Sequence, residues 1–371
     1  MHTNFTDTSY HIVFGCDDNY VKYAAVTMQS IIENLSPAMF KDGDSPQPQA
    51  HTKSLATSEI NTSKYPNVPI TFHLLHDTLQ KETKHKLQAL ETALNAIYPC
   101  TITFHPLSQE EFKNLTPWGE AGANWAAYFR LKIGDMLDSH IARCVYLDTD
   151  ILVLEDIREL FMIDINDKAI GASRNLYTEG IDIIRDDLVD AQEYCNSGML
   201  LIDLAKWRTK SFEDIQTFTY TQLPDQDFIN FIFKGEIYLL PFKWNFVWSH
   251  PSRLDFDAKE PYEKNHQIVI PCMNYSRKEF QDALKNPVIV HFAGGYKPWE
   301  KVNFAKKGKP IFHKNPYNKH WWRVAKRNVF YPQILLHYLK CSVNTTLSEY
   351  TKAYIPALYP FLRKLKHFLK G

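Results

Sequence analysis

Residues Cys144 to Leu154 form an apolar run into which two carboxylates, Asp148 and Asp150, are set. An ionised carboxylate in such surroundings is costly to desolvate unless something neutralises it. Two of them side by side also repel each other. Side chains at i and i+2 share one face of an extended strand, so Asp148 and Asp150 are expected to converge on one point. A divalent cation that prefers hard oxygen ligands, Mn²⁺ or Mg²⁺, resolves the conflict. A plainer reading is a strand that ends in a polar turn at Asp148. It is disfavoured here because the apolar run resumes at Ile151. Asp-x-Asp alone is a weak motif, and its weight depends on the rest of the chain.

The chain of 371 residues is long enough for one large domain or two smaller ones. Its six cysteines are scattered and include no Cys-x-x-Cys pair, so Cys16, Cys144 and Cys195 read as buried free thiols. The polar N-terminus lacks a signal-peptide core, and no apolar run is long enough to span a bilayer. A reducing cytoplasm is therefore the expected compartment. The net charge of zero hides an asymmetry: residues 301–371 carry 15 Lys and Arg against the single acid Glu349. A mildly acidic body with a basic tail points toward an anionic partner.

Taken in order, His11 to Cys16 reads as a strand, and Asp17-Asp18-Asn19-Tyr20 as a polar turn. Val21 to Leu35 reads as a helix with apolar residues at helical spacing. In α/β folds ligands bind beyond the carboxyl ends of strands, where this turn falls; a helix cap is an equally good and compatible reading. Residues 36–67 are rich in Pro, Ser, Thr and Lys and read as a surface insertion. Pro69 to Leu75 and Thr101 to Phe104 are further strands, separated by a helix from Leu79 to Leu94. A helix is expected over 124–133, with Arg130 as a salt-bridge partner or an anion contact. The alternation predicts an α/β fold with a mainly parallel sheet and helices on both faces. In the second half, Asn196-Ser197-Gly198 is a polar turn before a strand. Asp225-Gln226-Asp227 opens a helix, as a cap or as a contact for sugar hydroxyls. Pro287 to Phe292 is a buried strand that ends near His291, followed by Gly294, Gly295 and Lys297. That grouping suits a metal-bound phosphate better than a core.

These motifs, in this order, resemble glycosyltransferase family 8, and more closely its bacterial lipopolysaccharide galactosyl- and glucosyltransferases. The resemblance runs from about His11 to Trp299. It implies a GT-A fold, a UDP-sugar donor, Mn²⁺, and retention of anomeric configuration. It further implies that Asp148, Asp150 and His291 hold the metal and that Asp17, Asn19 and Tyr20 meet the uridine. Arg130 and Thr149 would lie on the donor side, and Gly294 and Lys297 would hold the diphosphate. Asn196, Asp225 and Gln226 would line the donor sugar and the reaction centre. The long 36–67 insertion and Ala126-Ala127 before Tyr128 depart from the family pattern.

Asp225 is the only motif carboxylate left to act as a nucleophile. A front-face route, with the leaving diphosphate helping to deprotonate the acceptor, is therefore preferred over double displacement. Other readings are an Asp-x-Asp phosphatase, a nucleotidyltransferase and a non-catalytic nucleotide-sugar or glycan-binding module. The first would place its aspartates on the first strand, and the second would want a Gly-rich basic loop near the N-terminus. The third would not need Asp148, Asp150, His291 and Lys297 together.

A catalytic region is expected over 1–304, and a basic, aromatic helical extension over 305–371. In the extension, Leu358, Phe361, Leu362, Leu365, Phe368 and Leu369 form a helical stripe flanked by cations. Lys319 to Arg323 mixes cations with aromatics suited to a membrane interface. The pattern predicts peripheral attachment to an anionic inner leaflet, a position that suits the lipid-anchored saccharide acceptor that the family resemblance implies. No nucleic-acid recognition motif is present.

Overall fold

The computed structural model of the protein describes residues 7–35, 65–115, 125–176, 193–216, 223–248, 254–259, 262–264, 267–272, 274–293, 297–300, 303–304, 310–311 and 315–354. Most of the expected 36–67 insertion, Gly294 and the 358–369 stripe lie outside these residues. The chain divides into two compact units, 1–291 and 292–371.

The first unit is built on strands β1 (Tyr10–Gly15), β2 (Ile70–His76), β3 (Cys100–Pro106), β4 (Arg143–Leu147), β6 (Ile170–Ala172), β7 (Met199–Asp203) and β8 (Ile237–Leu239). They form one sheet in the order β3-β2-β1-β4-β7-β6-β8. All pairings are parallel except those of β7, which runs against both β4 and β6. Ile12, Phe14, Phe72, Leu74 and Val145 are buried on one face, and Val13, Leu75 and Tyr146 on the other. Burial on both faces explains why these strands read as continuous apolar runs. Helices α1 (Val21–Asn34) and α2 (Lys81–Asn95) follow β1 and β2, as the periodicity predicts.

The segment expected to be helical over 124–133 is tighter. It is a 3₁₀ helix, Ala126–Lys132, running into a single turn of α3 (Ile133–Met136). Tyr128, Phe129, Arg130 and Leu131 are all buried in it, so packing on every side has overridden local periodicity. After the short helices α4 (Arg158–Phe161) and α5 (Leu204–Trp207), the Asp225-Gln226-Asp227 motif opens α6 (Pro224–Ile232), with Pro224 at its first position.

The 144–154 run is not one strand. β4 ends at Leu147, the chain turns through Asp148–Asp150, and it resumes as β5 (Ile151–Val153) in a different sheet. The carboxylates therefore converge through a turn, not through the pleat of a continuous strand. Past β9 (Phe246–Val247) lies a three-stranded sheet of β10 (Leu254–Asp255), β11 (Tyr262–Lys264) and β12 (Gln267–Pro271). Helix α7 (Arg277–Lys285), opened by a Ser276 capping box, leads to β13 (Ile289–His291). β13 pairs antiparallel with β5 and parallel with β9.

Helix α1 holds β5 by three polar side chains. Thr27 Oγ1 donates to the Ile151 carbonyl at 2.7 Å, and the Val153 amide donates to Ser30 Oγ at 3.1 Å. Asn34 Nδ2 donates to the Val153 carbonyl at 2.9 Å. These groups satisfy backbone that a neighbouring strand would otherwise pair.

In the second unit, β14 (Asn303–Phe304) pairs with β15 (Pro310–Ile311), followed by α8 (Asn318–Ala325) and α9 (Tyr331–Tyr354). Trp321, expected as an interfacial aromatic, is wholly buried and packs 5.0 Å from Trp299. Trp322 is half-buried and donates to the Pro298 carbonyl at 3.1 Å. Among the described residues, no helix is long and apolar enough to cross a membrane.

Candidate active site

The register of β5 and β13 sets His291 opposite Ile151, next to Asp150 in the chain. Ligand atoms of Asp148, Asp150 and His291 all lie within 4.8 Å of one another. Nε2 of His291 is 3.2 Å from Asp150 Oδ1 and 3.6 Å from Asp148 Oδ2. Asp150 and His291 are buried, while Asp148 retains some exposure.

The loop before β7 closes the site from a third side. The Asp148 amide donates to the Gly198 carbonyl at 2.8 Å. A Cβ at residue 198 would lie 2.3 Å from His291 Cε1 and 2.6 Å from Asp148 Oδ2. No side chain fits there, so glycine is required by the approach of backbone to the carboxylates.

Arg130 fixes the other side of Asp148. Its Nη2 donates to Asp148 Oδ1 at 2.8 Å and lies 3.3 Å from Asp225 Oδ2. Nη1 donates to Ser197 O at 2.8 Å and to Ser197 Oγ at 2.9 Å, and Nε to the Ala127 carbonyl at 2.9 Å. The guanidinium lies over the Tyr146 ring at 4.5 Å, and the Tyr146 hydroxyl donates to Asp148 Oδ1 at 2.8 Å. The surrounding carboxylates outweigh burial and push the Arg130 pKa up. Burial is the main influence on Asp225 and pushes its carboxyl up, against the opposing pull of Arg130.

Helix α6 holds the 194–198 loop. The Ser197 amide donates to Gln226 Oε1 at 3.1 Å, and Gln226 Nε2 donates to the Tyr194 hydroxyl at 3.0 Å. Tyr194 donates in turn to Asp227 Oδ1 at 2.5 Å. Asn230 accepts from the Cys195 amide and donates to the Cys195 carbonyl, each at 2.8 Å.

The structure thus brings Asp148, Asp150, His291, Arg130 and Asp225 into one largely buried cluster, with Gln226 on α6 and Asn196 on the adjoining loop. Thr149 is buried in the turn between the two aspartates. Asp17, Asn19 and Tyr20 lie where β1 gives way to α1; Asp17 accepts from the Tyr20 amide at 2.8 Å, and burial pushes its carboxyl up. Lys297 belongs to the second unit and Gly294 lies outside the described residues.

Asn245 is a buried residue of this cluster that sequence reasoning missed. Its Oδ1 lies 3.0 Å from His291 Nδ1, and its Nδ2 donates to Asn196 Oδ1 at 2.8 Å. A lone Asn between Trp244 and Phe246 was the available signal, a polar residue in an aromatic stretch.

The donor set fits a divalent cation. Two carboxylates and one imidazole nitrogen converge, and negative charge exceeds what Arg130 offsets. A model of glycosyl transferase family 8 matches residues 11–303. The chain belongs to that family. It contains a family 8 glycosyltransferase catalytic domain. General stress protein A of Bacillus subtilis is 24% identical over 84% of this chain and 95% of its own length. A lipopolysaccharide 1,2-glucosyltransferase of Escherichia coli is 24% identical over 85% of this chain and 80% of its own. Among solved structures, the galactosyltransferase LgtC in complex with donor and acceptor sugar analogs superposes with a TM-score of 0.55. It is 22% identical and covers 85% of this chain and 95% of its own. That likeness establishes the fold, a mixed, largely parallel sheet flanked by helices of GT-A type with a helical C-terminal extension.

Proposed function

We propose that this family 8 enzyme transfers a hexose, galactose or glucose, from a UDP-sugar to a glycan hydroxyl with retention of configuration. A lipopolysaccharide, a lipooligosaccharide or another cell-surface glycan is the acceptor class that fits best. The observation that carries this reading is the convergence of Asp148, Asp150 and His291. Mn²⁺, or Mg²⁺ in its place, would be held by these three residues and would offset charge on the departing diphosphate as a Lewis acid.

The remaining roles belong to the protein's own side chains. Arg130 holds Asp148 by Oδ1, which keeps Oδ2 turned toward His291. Gly294 and Lys297, just beyond β13, would bind the diphosphate. Asp17, Asn19 and Tyr20 would bind the uridine, and Thr149 would contact the donor from the turn between the aspartates. Asp225 faces Arg130 from inside the protein, an arrangement that favours charge stabilisation over nucleophilic attack. Asp225, Gln226 and Asn196 would then support an oxocarbenium-like centre while the acceptor attacks from the face that the diphosphate leaves.

Residues 1–304 would form the catalytic region and 305–371 a basic extension that rests on an anionic inner leaflet. Lys319, Arg323, Lys326 and Arg327 line one groove with Trp322, and Leu336 and Leu339 are exposed on α9. Each cation near such a surface contributes about 1 kcal/mol.

Release of UDP from UDP-galactose and UDP-glucose, with and without Mn²⁺, tests the reaction. Metal-dependent UDP release by the wild type, absent in Asp150→Asn, is the expected result. Binding of UDP-sugar without release would favour a binding module, and release of inorganic phosphate from simple esters a phosphatase. Sedimentation with anionic vesicles at low salt, lost on truncation before Lys306, tests the attachment.

A further inference from the structure

We propose, on the reading of His291 as a metal ligand, that Asn245 is the residue that presents the bare Nε2 of His291 to the cation, with Asn196 as its anchor. The logic starts from a backbone amide, whose role as donor is fixed. Gly198 N–H donates to Asn196 Oδ1 at 3.0 Å. The same oxygen accepts from Asn245 Nδ2 at 2.8 Å. Asn245 therefore has only one orientation: its amino group faces Asn196 and its carbonyl faces His291. Oδ1 of Asn245 lies 3.0 Å from His291 Nδ1, and an amide oxygen can only accept. The imidazole proton must then sit on Nδ1, and the neutral ring keeps an open lone pair on Nε2. That lone pair is the one aimed at Asp150 and Asp148.

Asn245 is fully buried and Asn196 nearly so, which keeps water from substituting for either amide. A ring without Asn245 would be free to take the other tautomer, which turns Nε2–H toward the carboxylates, or to flip, which puts Cε1–H there; neither leaves a lone pair for a cation. Asn245 is thus a positioning residue that acts through His291.

The test is the dissociation constant of Mn²⁺, read from the electron paramagnetic resonance signal of the free ion, in the full chain and its variants. His291→Gln should lose Mn²⁺ affinity; if it does not, His291 is no ligand and the inference fails with that reading. With the ligand role intact, Asn245→Leu, nearly isosteric but without an acceptor, should bind Mn²⁺ about 10- to 100-fold more weakly. Asn245→Asp, which keeps an oxygen for Nδ1–H, should retain most of the affinity. Wild-type affinity in Asn245→Leu would overturn the proposal. A second measurement needs no variant. With Co²⁺ bound to the wild type, Nδ1–H should give one sharp hyperfine-shifted proton that disappears in D₂O. Both ring C–H groups flank a bound Nε2 and should be broad. A sharp, non-exchangeable ring proton instead would place the metal on Nδ1 and end the idea.

Discussion

Arg130 engages one oxygen of Asp148 at 2.8 Å and leaves the other free to face His291. The carboxylate is therefore shared between a permanent cation and a site for an exchangeable one. Asp150 has a different setting, with Oδ1 against His291 Nε2. Two residues that look equivalent in the sequence are not equivalent in energy.

On the proposed function, Asp148→Asn and Asp150→Asn should each remove most activity, because each replaces an anionic carboxylate ligand of the cation with a neutral amide. Their stabilities should differ. Asp150→Asn relieves repulsion within the cluster, whereas Asp148→Asn also takes charge away from Arg130. In metal-free urea unfolding, Asp150→Asn should be the more stable of the two. The reverse order would mean that Arg130 gains little from Asp148.

Arg130→Met should destabilise the fold by about 3–5 kcal/mol, the usual penalty for stripping one partner from a buried ion pair. Two carboxylates, Asp148 and Asp225, lose their shared cation, and Ser197 loses two hydrogen bonds. Arg130→Lys should recover only part of the loss, since an ammonium lacks the planar fork that reaches all of these groups. Chemical denaturation of the three proteins decides the matter.

Gly198→Ala adds a single methyl group where His291 and Asp148 leave no room. The expected outcome is a folded protein with sharply weaker Mn²⁺ binding and transfer. A variant with unchanged metal affinity would show that the loop can retreat.

His11, His73 and His105 form a hydrogen-bonded row across β1, β2 and β3, with nitrogen separations of 3.0 and 2.9 Å. Burial, with the neighbouring imidazoles, pushes His73 down to about 3, and burial also lowers His11 and His105. Below the ordinary histidine pKa of about 6.5 the unfolded chain takes up protons that the folded row refuses. Stability should thus be full above about pH 6.5 and fall as pH drops toward 3. His73→Asn should make this slope shallower by up to about 1.4 kcal/mol per pH unit, measured by urea unfolding between pH 5 and pH 7. Equal slopes would assign the acid sensitivity elsewhere.

Much of the frame was legible because charge in an apolar run is expensive and therefore conspicuous. Asp148, Asp150 and Arg130 stood out on that ground, and His291 through the Gly294, Gly295 and Lys297 that follow it. The break after Leu147 did not, because Ile151–Val153 is as apolar as β4 and only pairing with β13 sends it to another sheet. Thr27, Ser30 and Asn34 have the look of a polar helix face. They serve the backbone of β5, a role that no periodicity encodes. Asn245 carries no pattern at all. Trp321 misled for the opposite reason: an aromatic flanked by cations suggests an interface, but in α8 its side belongs to the core.

The β5–β13 pairing also governs when the site can exist. Asp148 and Asp150 leave the ribosome long before His291, since the two segments are distant in the chain. Closing so long a loop is entropically slow and depends on the intervening strands being in place. A nascent chain therefore carries the two acids without the imidazole. On the proposed function, metal capture would be a late event that reports completion of the first unit.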